Sequence, residues 1–484
     1  MKTSAAIDRF VASWAYYVCL SIGTSLFLLL FSFSASPLYL HWGGDNTVFE
    51  QLGNAILQGK IPYIDIFDHK GLLLYLFNAF GLFISHSWGI YLLQCIFLSA
   101  TVIVWDITMR HLGVDKMRPV LIFGFLLILM GLFNGGNYTE DWSLLFISLP
   151  LLFHVISLQR QQPVTLWQYF VVGACFGAIT FIRLNNAIPF VMFFVWQGIV
   201  DLTARRWKLV LKELGMAICG FLIIALPCTF YFYIKAGTYG VDAMLYGMFG
   251  FNFDYMQTGS MKDREDDVLF FSTYATIIIG SILTYRKKIN ILIPLLLVFV
   301  TCAFTMRLRH YGHYLIILLP CVVMIAGNLA GAHHKLWSIL LVVAIAIPWH
   351  SNIFKSVMRT RRELLYGKIW YKDDYAAFHD FAQILDSKER NSIYNYNGDM
   401  EVLALLNAEN LVQCNRVILG SQKDCSPRLR NECQTDNLQH SKPQIVLVCD
   451  KPTPEDARFL DSLYSPILES HAMYTDLTIF RLKK

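Results

Sequence analysis

Long apolar stretches alternate with short polar gaps through the first 350 residues of the chain. A helix that crosses the hydrocarbon core of a bilayer, about 30 Å thick, needs roughly 20 mostly apolar residues. The stretches that approach this length are 14–34, 88–108, 119–133, 142–158, 166–182, 187–203, 214–234, 269–285, 289–305, 314–331 and 336–350. The pattern predicts an α-helical polytopic membrane protein with about 11 transmembrane helices.

Two shorter segments between the first and second spans have a different pattern. Gly71–Ile84 is apolar but, at about fourteen residues, is shorter than a spanning helix and is typical of a re-entrant or interfacial one. Asn46–Gln58 carries Phe49, Leu52 and Ile56 at amphipathic helical spacing. We therefore expect interfacial helices on one face of the membrane.

Basic residues in the short gaps predict the orientation. With a cytoplasmic N-terminus and eleven crossings, five basic gaps lie inside, as the positive-inside bias requires, and the C-terminus lies outside. These gaps carry Arg110, Lys116 and Arg118; Arg160; Arg205, Arg206 and Lys208; Arg286, Lys287 and Lys288; and Lys335. One basic run, 355–362, would lie outside and could meet anionic head groups.

Composition agrees with a membrane location. The chain is 55% hydrophobic and 15% charged, against roughly 25% charged for a soluble domain. The net charge of +5 is small and its basic residues lie between apolar segments, so we expect no nucleic-acid partner. The cytoplasmic (inner) membrane is the predicted location, with the polar loops and the tail on the periplasmic face.

The polar tail, residues 351–484, is predicted to be a small C-terminal α/β domain that follows a transmembrane domain, residues 1–350. Residues 373–385 have helical spacing, Thr453-Pro454 resembles a capped helix start, and 444–449 and 477–482 resemble strands. The tail lacks a catalytic motif, which favours a structural or acceptor-guiding cap. Four cysteines could form two disulfides or remain thiols: Cys414, Cys425, Cys433 and Cys449.

In this topology four polar clusters lie on the outer face: 41–70, 134–141, 183–186 and 307–314. Carboxylates at a membrane boundary are costly unless paired or hydrated, so those in the clusters are functional candidates. Asp45 with Glu140 or Asp141 could supply a general base and its partner, or hold a divalent cation. Asp45 could instead cap the helix that follows it, and Glu140 and Asp141 could cap theirs.

Basic side chains in the same clusters suit an anionic ligand. Guanidinium groups bind phosphate in a bidentate manner, and lysine binds it as a point charge. The candidates are Lys70, Arg183, Arg307 and Arg309, with His310 and His313 as phosphate or metal contacts or as interfacial aromatics. We expect Asp45, Glu140, Arg183 and Arg307 to share one water-exposed pocket.

These residues resemble the membrane glycosyltransferases of the C-type superfold, especially bacterial relatives of the protein O-mannosyltransferases and the lipid A aminoarabinose transferase. The likeness is firmest from Gly44-Asp45 to Lys70-Gly71, although the prolines that follow the family's lysine are absent here. It implies that Asp45 is the catalytic carboxylate, with the second acidic group in 139–141. It also implies that Lys70, Arg183 and the 307–314 segment contact a lipid phosphate.

The resemblance further implies that 235–267, with Asn252 and Tyr255, is a mobile loop that closes over the substrates. The implied activity transfers a sugar from a polyprenyl-phosphate carrier to an envelope acceptor, either lipopolysaccharide (O-antigen), another glycan or a protein. Membrane lipids are expected partners, no cofactor is certain, and a divalent metal at Asp45 and Glu140 is possible. A lipid-linked glycan flippase and an O-antigen-type ligase are the alternatives.

Overall fold

The structure is a computed structural model. It describes residue 11 and residues 13–41, 44–252, 267–284, 289–305, 310–366, 372–396, 400–414, 438, 441–449, 451–470 and 477–484. Helices dominate the described residues up to Tyr366, and a small sheet appears only after them.

In chain order the described helices of the apolar region and its loops are α1 (Trp14–Phe31), α2 (Asp45–Leu57), α3 (Leu72–Ile84), α4 (Gly89–His111), α5 (Arg118–Leu132), α6 (Thr139–Arg160), α7 (Leu166–Ile182), α8 (Leu184–Thr203), α9 (Trp207–Leu245), α10 (Asp267–Thr284), α11 (Ile289–Thr305), α12 (Leu319–Gly331), α13 (Lys335–Ala346) and α14 (His350–Tyr366). A π-helical turn, Tyr246–Gly250, continues α9. Two 3₁₀ segments, Gly312–Leu318 and Ile347–Trp349, precede α12 and α14.

In the described residues, each of the eleven predicted spans corresponds mainly to helix, which confirms the predicted fold class. Seven helices in the described residues are long and apolar enough to cross a membrane, and the other predicted spans correspond to the shorter α5, α7, α10 and α11. The chain is a multi-pass membrane protein. Helices are the expected solution because a chain in hydrocarbon must satisfy its backbone polar groups internally.

The chain forms two compact units. The core unit comprises Met1–Ser32, Leu92–Cys228 and Ser260–Thr360. The tail unit comprises Phe33–Tyr91, Thr229–Gly259 and Arg361–Lys484, so the tail belongs with two segments of the apolar region. The division at residue 350 followed the change in composition and stays a prediction.

Within the tail unit, α2 and α3 confirm the two short helices expected between the first spans. A Cβ atom on Gly53 of α2 would lie 2.7 Å from the backbone nitrogen of Ala79 in α3, so the helices cross at this glycine. The apolar Phe49 and Leu52 of α2 are fully buried. Phe80 and Phe83 of α3 are exposed, as expected for a helix at a membrane surface.

The predicted mobile loop at 235–267 is corrected in its first half. The chain stays helical to Asn252 after a change of direction at Gly237, whose φ of 61° suits glycine. An aromatic residue of the predicted loop, Phe251, packs inside the tail unit, with its ring centroid 5.1 Å from that of Phe67. Tyr255 lies outside the described residues.

The tail has the predicted α/β character. Its described elements are α15 (Lys372–Gln383), α16 (Ser387–Arg390), β1 (Ile393–Asn395), α17 (Met400–Ala408), β2 (Ile445–Val448), α18 (Pro454–Leu463), β3 (Tyr464–Ser470) and β4 (Leu477–Leu482). The strand order is β1-β2-β4-β3, with β1 parallel to β2 and the other pairs antiparallel. The capped start of α18 is confirmed, because the Asp456 backbone N–H donates to Thr453 Oγ1 at 3.1 Å.

The basic run after the last span forms α14, so the chain remains helical beyond residue 350. Phe354, Val357 and Leu365 are exposed along this helix, next to basic side chains. Thr360 of the same helix is buried, and its hydroxyl donates to the Leu30 carbonyl oxygen at 2.7 Å. An exposed apolar stripe with basic neighbours is typical of a helix that lies along a bilayer surface.

Candidate active site

In the tail unit, the ammonium group of Lys70 lies between two carboxylates. Its Nζ atom is 3.7 Å from Asp45 Oδ2 and 3.5 Å from Asp68 Oδ1. The same Nζ lies 5.6 Å from the centroid of the Phe49 ring. Asp45 is 36% exposed, whereas Lys70 and Asp68 are buried. One carboxylate is therefore accessible to a ligand and the other anchors the lysine.

The position of Asp45 follows from α2. Gly44 is the N-cap and Asp45 is the first helical residue, so its carboxylate lies at the positive end of the helix dipole. The first turn is held by side chains of the next residues: the Thr47 hydroxyl donates to the Gly44 carbonyl oxygen at 2.9 Å, and Asn46 Oδ1 accepts from the Thr47 backbone N–H at 3.0 Å. The expectation that Asp45 itself is the N-cap is wrong, because Gly44 occupies that position.

Asp68 is the buried partner, and it is ionised. Burial opposes ionisation, yet the Lys70 ammonium and the adjacent His69 outweigh burial and hold the pKa of the Asp68 carboxyl well below its ordinary range. His69 Nδ1 lies 3.2 Å from Asp68 Oδ1, and the Tyr75 hydroxyl lies 3.0 Å from Asp68 Oδ2. The charge on Asp68 holds the Lys70 ammonium group in place.

The backbone that carries Lys70 is also held. The Tyr63 hydroxyl donates to the Lys70 carbonyl oxygen, and the Tyr75 hydroxyl lies 3.0 Å from the same atom. Asn252 Nδ2 donates to the carbonyl oxygen of His69 at 3.2 Å and to that of Met248 at 2.7 Å. Asn252, expected in a substrate loop, therefore supports the segment that presents Lys70.

In the core unit, the start of α6, the junction between α7 and α8, and the segment before α12 meet at Arg183. Arg183 Nη1 is 2.6 Å from Glu140 Oε1, and Glu140 is fully buried. The guanidinium carbon lies 4.4 Å from the centroid of the Tyr314 ring, a cation–π contact. The Thr139 hydroxyl donates to Glu140 Oε2 at 2.8 Å. Three of the four predicted polar clusters thus meet at one arginine.

The two predicted histidines have aromatic neighbours. His313 stacks on Tyr138 and Tyr311, with ring centroids 4.5 and 5.6 Å apart. His310 Nδ1 lies 2.5 Å from Asp267 Oδ1, and its ring stacks on Phe270. The ring stacking of both histidines fits the alternative of interfacial aromatics. A phosphate-binding role for either histidine stays a prediction. Arg307 and Arg309 lie outside the described residues.

Asp141 has the capping role that was considered for it. Its Oδ2 atom accepts from the Tyr138 backbone N–H at 3.0 Å at the start of α6. This bond stabilises the helix terminus and turns the carboxylate towards its own backbone. A catalytic role for Asp141 stays a prediction.

The carboxylates do not form a metal cradle. Among the described residues no group of three or more His, Cys, Asp or Glu side chains could hold a metal ion. Asp45 and Asp68 are charge-paired with Lys70, and Glu140 is charge-paired with Arg183. A divalent cation would have to displace one of these side-chain cations.

Sequence reasoning did not single out two residues of these clusters, Asp68 and Asp267. Asp68 left a signal, because Asp68-His69-Lys70 places three ionisable residues directly before an apolar helix, where charge is costly unless paired. Asp267 is far in sequence from His310, the side chain it contacts, and left none.

No family model matches the sequence, and no curated protein matches it. Solved structures of membrane glycosyltransferases have a similar fold. The apo structure of ArnT from Cupriavidus metallidurans matches with 12% identity and a TM-score of 0.55, over 96% of this chain and 98% of that one. The Archaeoglobus fulgidus oligosaccharyltransferase AglB, in complex with an inhibitory peptide and a dolichol-phosphate, matches with 11% identity and a TM-score of 0.53, over 90% of this chain and 70% of that one.

A further structure of the Archaeoglobus fulgidus oligosaccharyltransferase, in complex with zinc and sulfate, matches with 11% identity and a TM-score of 0.52, over 89% of this chain and 68% of that one. Identities this low establish the fold alone. The chain therefore has the C-type fold of these membrane glycosyltransferases, as the stretch from Asp45 to Lys70 predicted.

Proposed function

We propose that the protein is a glycosyltransferase that moves a sugar from a polyprenyl-phosphate carrier to an acceptor of the cell envelope, on the non-cytoplasmic face of the inner membrane. The observation that carries the proposal is the Lys70 ammonium between the Asp45 and Asp68 carboxylates. The fold supports it, because the similarly folded AglB is an oligosaccharyltransferase solved with a dolichol-phosphate. Lipopolysaccharide, another envelope glycan or a protein is the proposed acceptor.

In the proposed reaction Asp45 is the general base. Its carboxylate takes the proton of an acceptor hydroxyl, and the oxygen attacks the anomeric carbon opposite the phosphate. The bond from that carbon to the phosphate oxygen breaks, and polyprenyl phosphate leaves with the bonding electrons. The new glycosidic bond therefore has inverted configuration.

Cationic side chains stabilise the leaving group. Negative charge grows on the phosphate as its bond to the sugar breaks, and fixed cations act most strongly where charge develops. We assign this role to Lys70, Arg183, Arg307 and Arg309, with Glu140 holding Arg183 in its orientation. Because Lys70 is paired with Asp45 at rest, an arriving phosphate competes for the same ammonium and leaves Asp45 a better proton acceptor.

A divalent metal at Asp45 and Glu140 stays a prediction, and no step above depends on it. A complex of the similarly folded archaeal oligosaccharyltransferase contains zinc. In this chain a metal at Asp45 would compete directly with the Lys70 ammonium, which lies 3.7 Å away.

The test replaces Asp45 with Asn, which keeps the shape of the side chain and removes the base. Envelope glycans of a strain that lacks the protein are compared by mass spectrometry after complementation with wild type or variant. We expect wild type to restore the missing sugar and Asp45→Asn to fail, with general-base loss of about 10²–10⁴-fold in transfer rate. Asp242→Asn, an exposed carboxylate in the same unit, is the control and should restore the sugar.

Purified protein separates the alternatives. A panel of synthetic polyprenyl-phosphate hexoses and pentoses, together with a polymer-carrying polyprenyl donor, is incubated with envelope lipids from the deletion strain, and release of the polyprenyl carrier is measured. A ligase would use only polymer-carrying donors, and a flippase would release no polyprenyl phosphate. Full activity of folded Asp45→Asn would overturn the assignment of the base.

A further inference from the structure

One face of α2 contacts the tail. Asn407 Nδ2, on α17, donates to the carbonyl oxygen of Thr47 at 2.8 Å. Gln51 Nε2 donates to the carbonyl oxygen of Leu411 at 2.8 Å, and Asn54 Nδ2 lies 3.4 Å from the same oxygen. Thr47, Gln51 and Asn54 are four and three residues apart, so they lie on one helical face. All these residues belong to the tail unit.

A further contact lies just beyond the end of α2. Lys60 Nζ donates to the thiol sulfur of Cys414 at 3.1 Å, and that thiol donates to the carbonyl oxygen of Asn391 at 3.1 Å. The tail therefore holds α2 in its first turn and again after its last turn. We call 407–414 the clamp segment.

The clamp segment is itself fixed to the tail. The Cys414 backbone N–H donates to the carbonyl oxygen of Ile393 in β1 at 2.7 Å, and the Val412 N–H donates to that of Arg390 at 3.0 Å. Leu411 and Val412 are fully buried. The clamp segment thus connects α2 to the edge strand β1 and fixes the position of α2 relative to the sheet.

Another side of α2 packs closely on α3. Gly53 brings α2 against the backbone of α3, where an added Cβ would lie 2.7 Å from Ala79 N. α2 is therefore held from two sides, by packing on α3 and by hydrogen bonds to the clamp segment. Asp45 precedes Thr47 by two residues, in the same turn that Asn407 contacts.

We propose that the tail is a positioning element for catalysis: Asn407, through the Thr47 carbonyl, fixes the first turn of α2 and with it the orientation of the Asp45 carboxylate. This inference rests on the proposed function of Asp45. The N-cap Gly44 has no side chain of its own, and the amide of Asn407 adds a contact from outside the helix to the local bonds of Asn46 and Thr47. The contact is polar, so it specifies one geometry and adds little hydrophobic stability.

The proposal differs from that of a cap that only guides the acceptor. A guiding cap would change the apparent KM for the acceptor, whereas a positioning residue changes kcat, because a misplaced base leaves binding intact and slows chemistry. The two roles therefore separate in steady-state kinetics.

The experiment uses the full-length protein and the donor from the synthetic panel that wild type uses. Asn407→Asp keeps the size of the side chain but replaces the donor amide with an oxygen facing the Thr47 carbonyl. We expect kcat to fall roughly tenfold and both apparent KM values to change less than twofold, since a misplacement of about 1 Å can cost up to 10²-fold. Asn407→Gln keeps an amide donor and should recover most of the loss.

Asn410→Asp is the matched control. It introduces the same charge three residues away at an exposed position of the clamp segment, and its kcat should equal that of wild type. Thermal melting in detergent checks that each variant is folded. A raised acceptor KM with unchanged kcat in Asn407→Asp would overturn the proposal in favour of a guiding cap.

Three other outcomes are also decisive. Equal loss of kcat in Asn407→Asp and Asn410→Asp would overturn the proposal, because a general charge effect would then explain both. If Asp45→Asn is inactive while Asn407→Asp is fully active, the positioning role alone fails. If Asp45→Asn is fully active, the proposed function fails first.

Discussion

Lys70, Asp45 and Asp68 together carry a net charge of minus one, from two carboxylates and one ammonium. This net charge would repel an approaching phosphate donor unless further cations were nearby. The proposed role of the arginines from the other clusters is to supply those cations. The same arrangement also gives Asp68 a distinct task. Because Asp68 is buried and ionised, it holds the lysine without itself being available to substrate.

Replacing Asp68 with Asn should destabilise the protein in a pH-dependent manner. Removing one partner of a buried charge pair typically costs about 3–5 kcal/mol, because Lys70 is left without its buried counter-ion. The pKa of Asp68 is lower in the folded protein than in the unfolded chain, so its stabilisation is complete above the unfolded value of about 4 and is lost as the pH falls through the folded value.

The measurement is the melting temperature in detergent as a function of pH. The difference between wild type and Asp68→Asn should be constant at neutral and weakly acidic pH and should shrink below about pH 4. Asp65→Asn, with a carboxylate in the neighbouring exposed turn, controls for the substitution itself. A difference that stays constant at every acidic pH would contradict an ionised Asp68.

At the scale of elements, the crossing of α2 and α3 is the most constrained contact near Asp45. Gly53→Ala would bring its new methyl group to 2.7 Å from the Ala79 backbone nitrogen, and a backbone atom cannot turn aside as a flexible side chain can. We expect a loss of stability of about 1–3 kcal/mol, as for overpacked cores, together with lower activity, because α2 carries Asp45.

Gly23→Ala is the matched control for this substitution. Gly23 lies inside α1, and nothing lies within 4 Å of its added Cβ, so alanine there should be neutral or stabilising by about 0.5–1 kcal/mol. Thermal melting of both variants gives the comparison. Equal melting temperatures would show that α2 and α3 can separate at little cost.

The helices were predictable because a long apolar segment inside a bilayer must satisfy its backbone polar groups internally, and a helix does so. The continuation of α9 to Asn252 was not, because an aromatic and methionine-rich sequence resembles a loop until Tyr63 and Phe67 provide a surface for it. Strand β3 was missed because it contains Pro466, which is tolerated at the edge of the sheet where β3 lies. Strand β1 has only three residues, too few for a periodic pattern.

The candidate site was predictable in part for a similar reason. Charges such as Glu140 and Arg183 are conspicuous between apolar spans, and their ion pair joins two predicted clusters. The capping bond of Asp141 is local, to the residue three positions before it, and could be anticipated. The stacking of His313 on Tyr138 depends on a neighbour that only the fold supplies. Sequence therefore identifies which residues are unusual, whereas contacts decide what each one does.

For the whole molecule, orientation in the membrane is the property on which the choice of donor depends. Nucleotide sugars are cytoplasmic, so a polyprenyl-phosphate donor is required only if the polar loops lie outside. With the predicted eleven crossings, five basic gaps would lie inside and the C-terminus outside. The basic residues of α14 are the one feature that disagrees with this orientation, because they would lie outside. The exposed Phe354, Val357 and Leu365 would let this helix bind along the outer bilayer surface.

Reporter fusions test this orientation directly. Alkaline phosphatase fused after Lys484 should be active and a fluorescent protein there should be dark, whereas fusions at His333, in the gap between α12 and α13, should give the opposite pair. A fluorescent C-terminal fusion would mean that the number of crossings is even, which α3 could supply if its 13 residues spanned a thinned bilayer. The loop that presents Lys70 would then face the side opposite to the tail, in conflict with the hydrogen bonds from Gln51 and Asn407, so we expect the odd count.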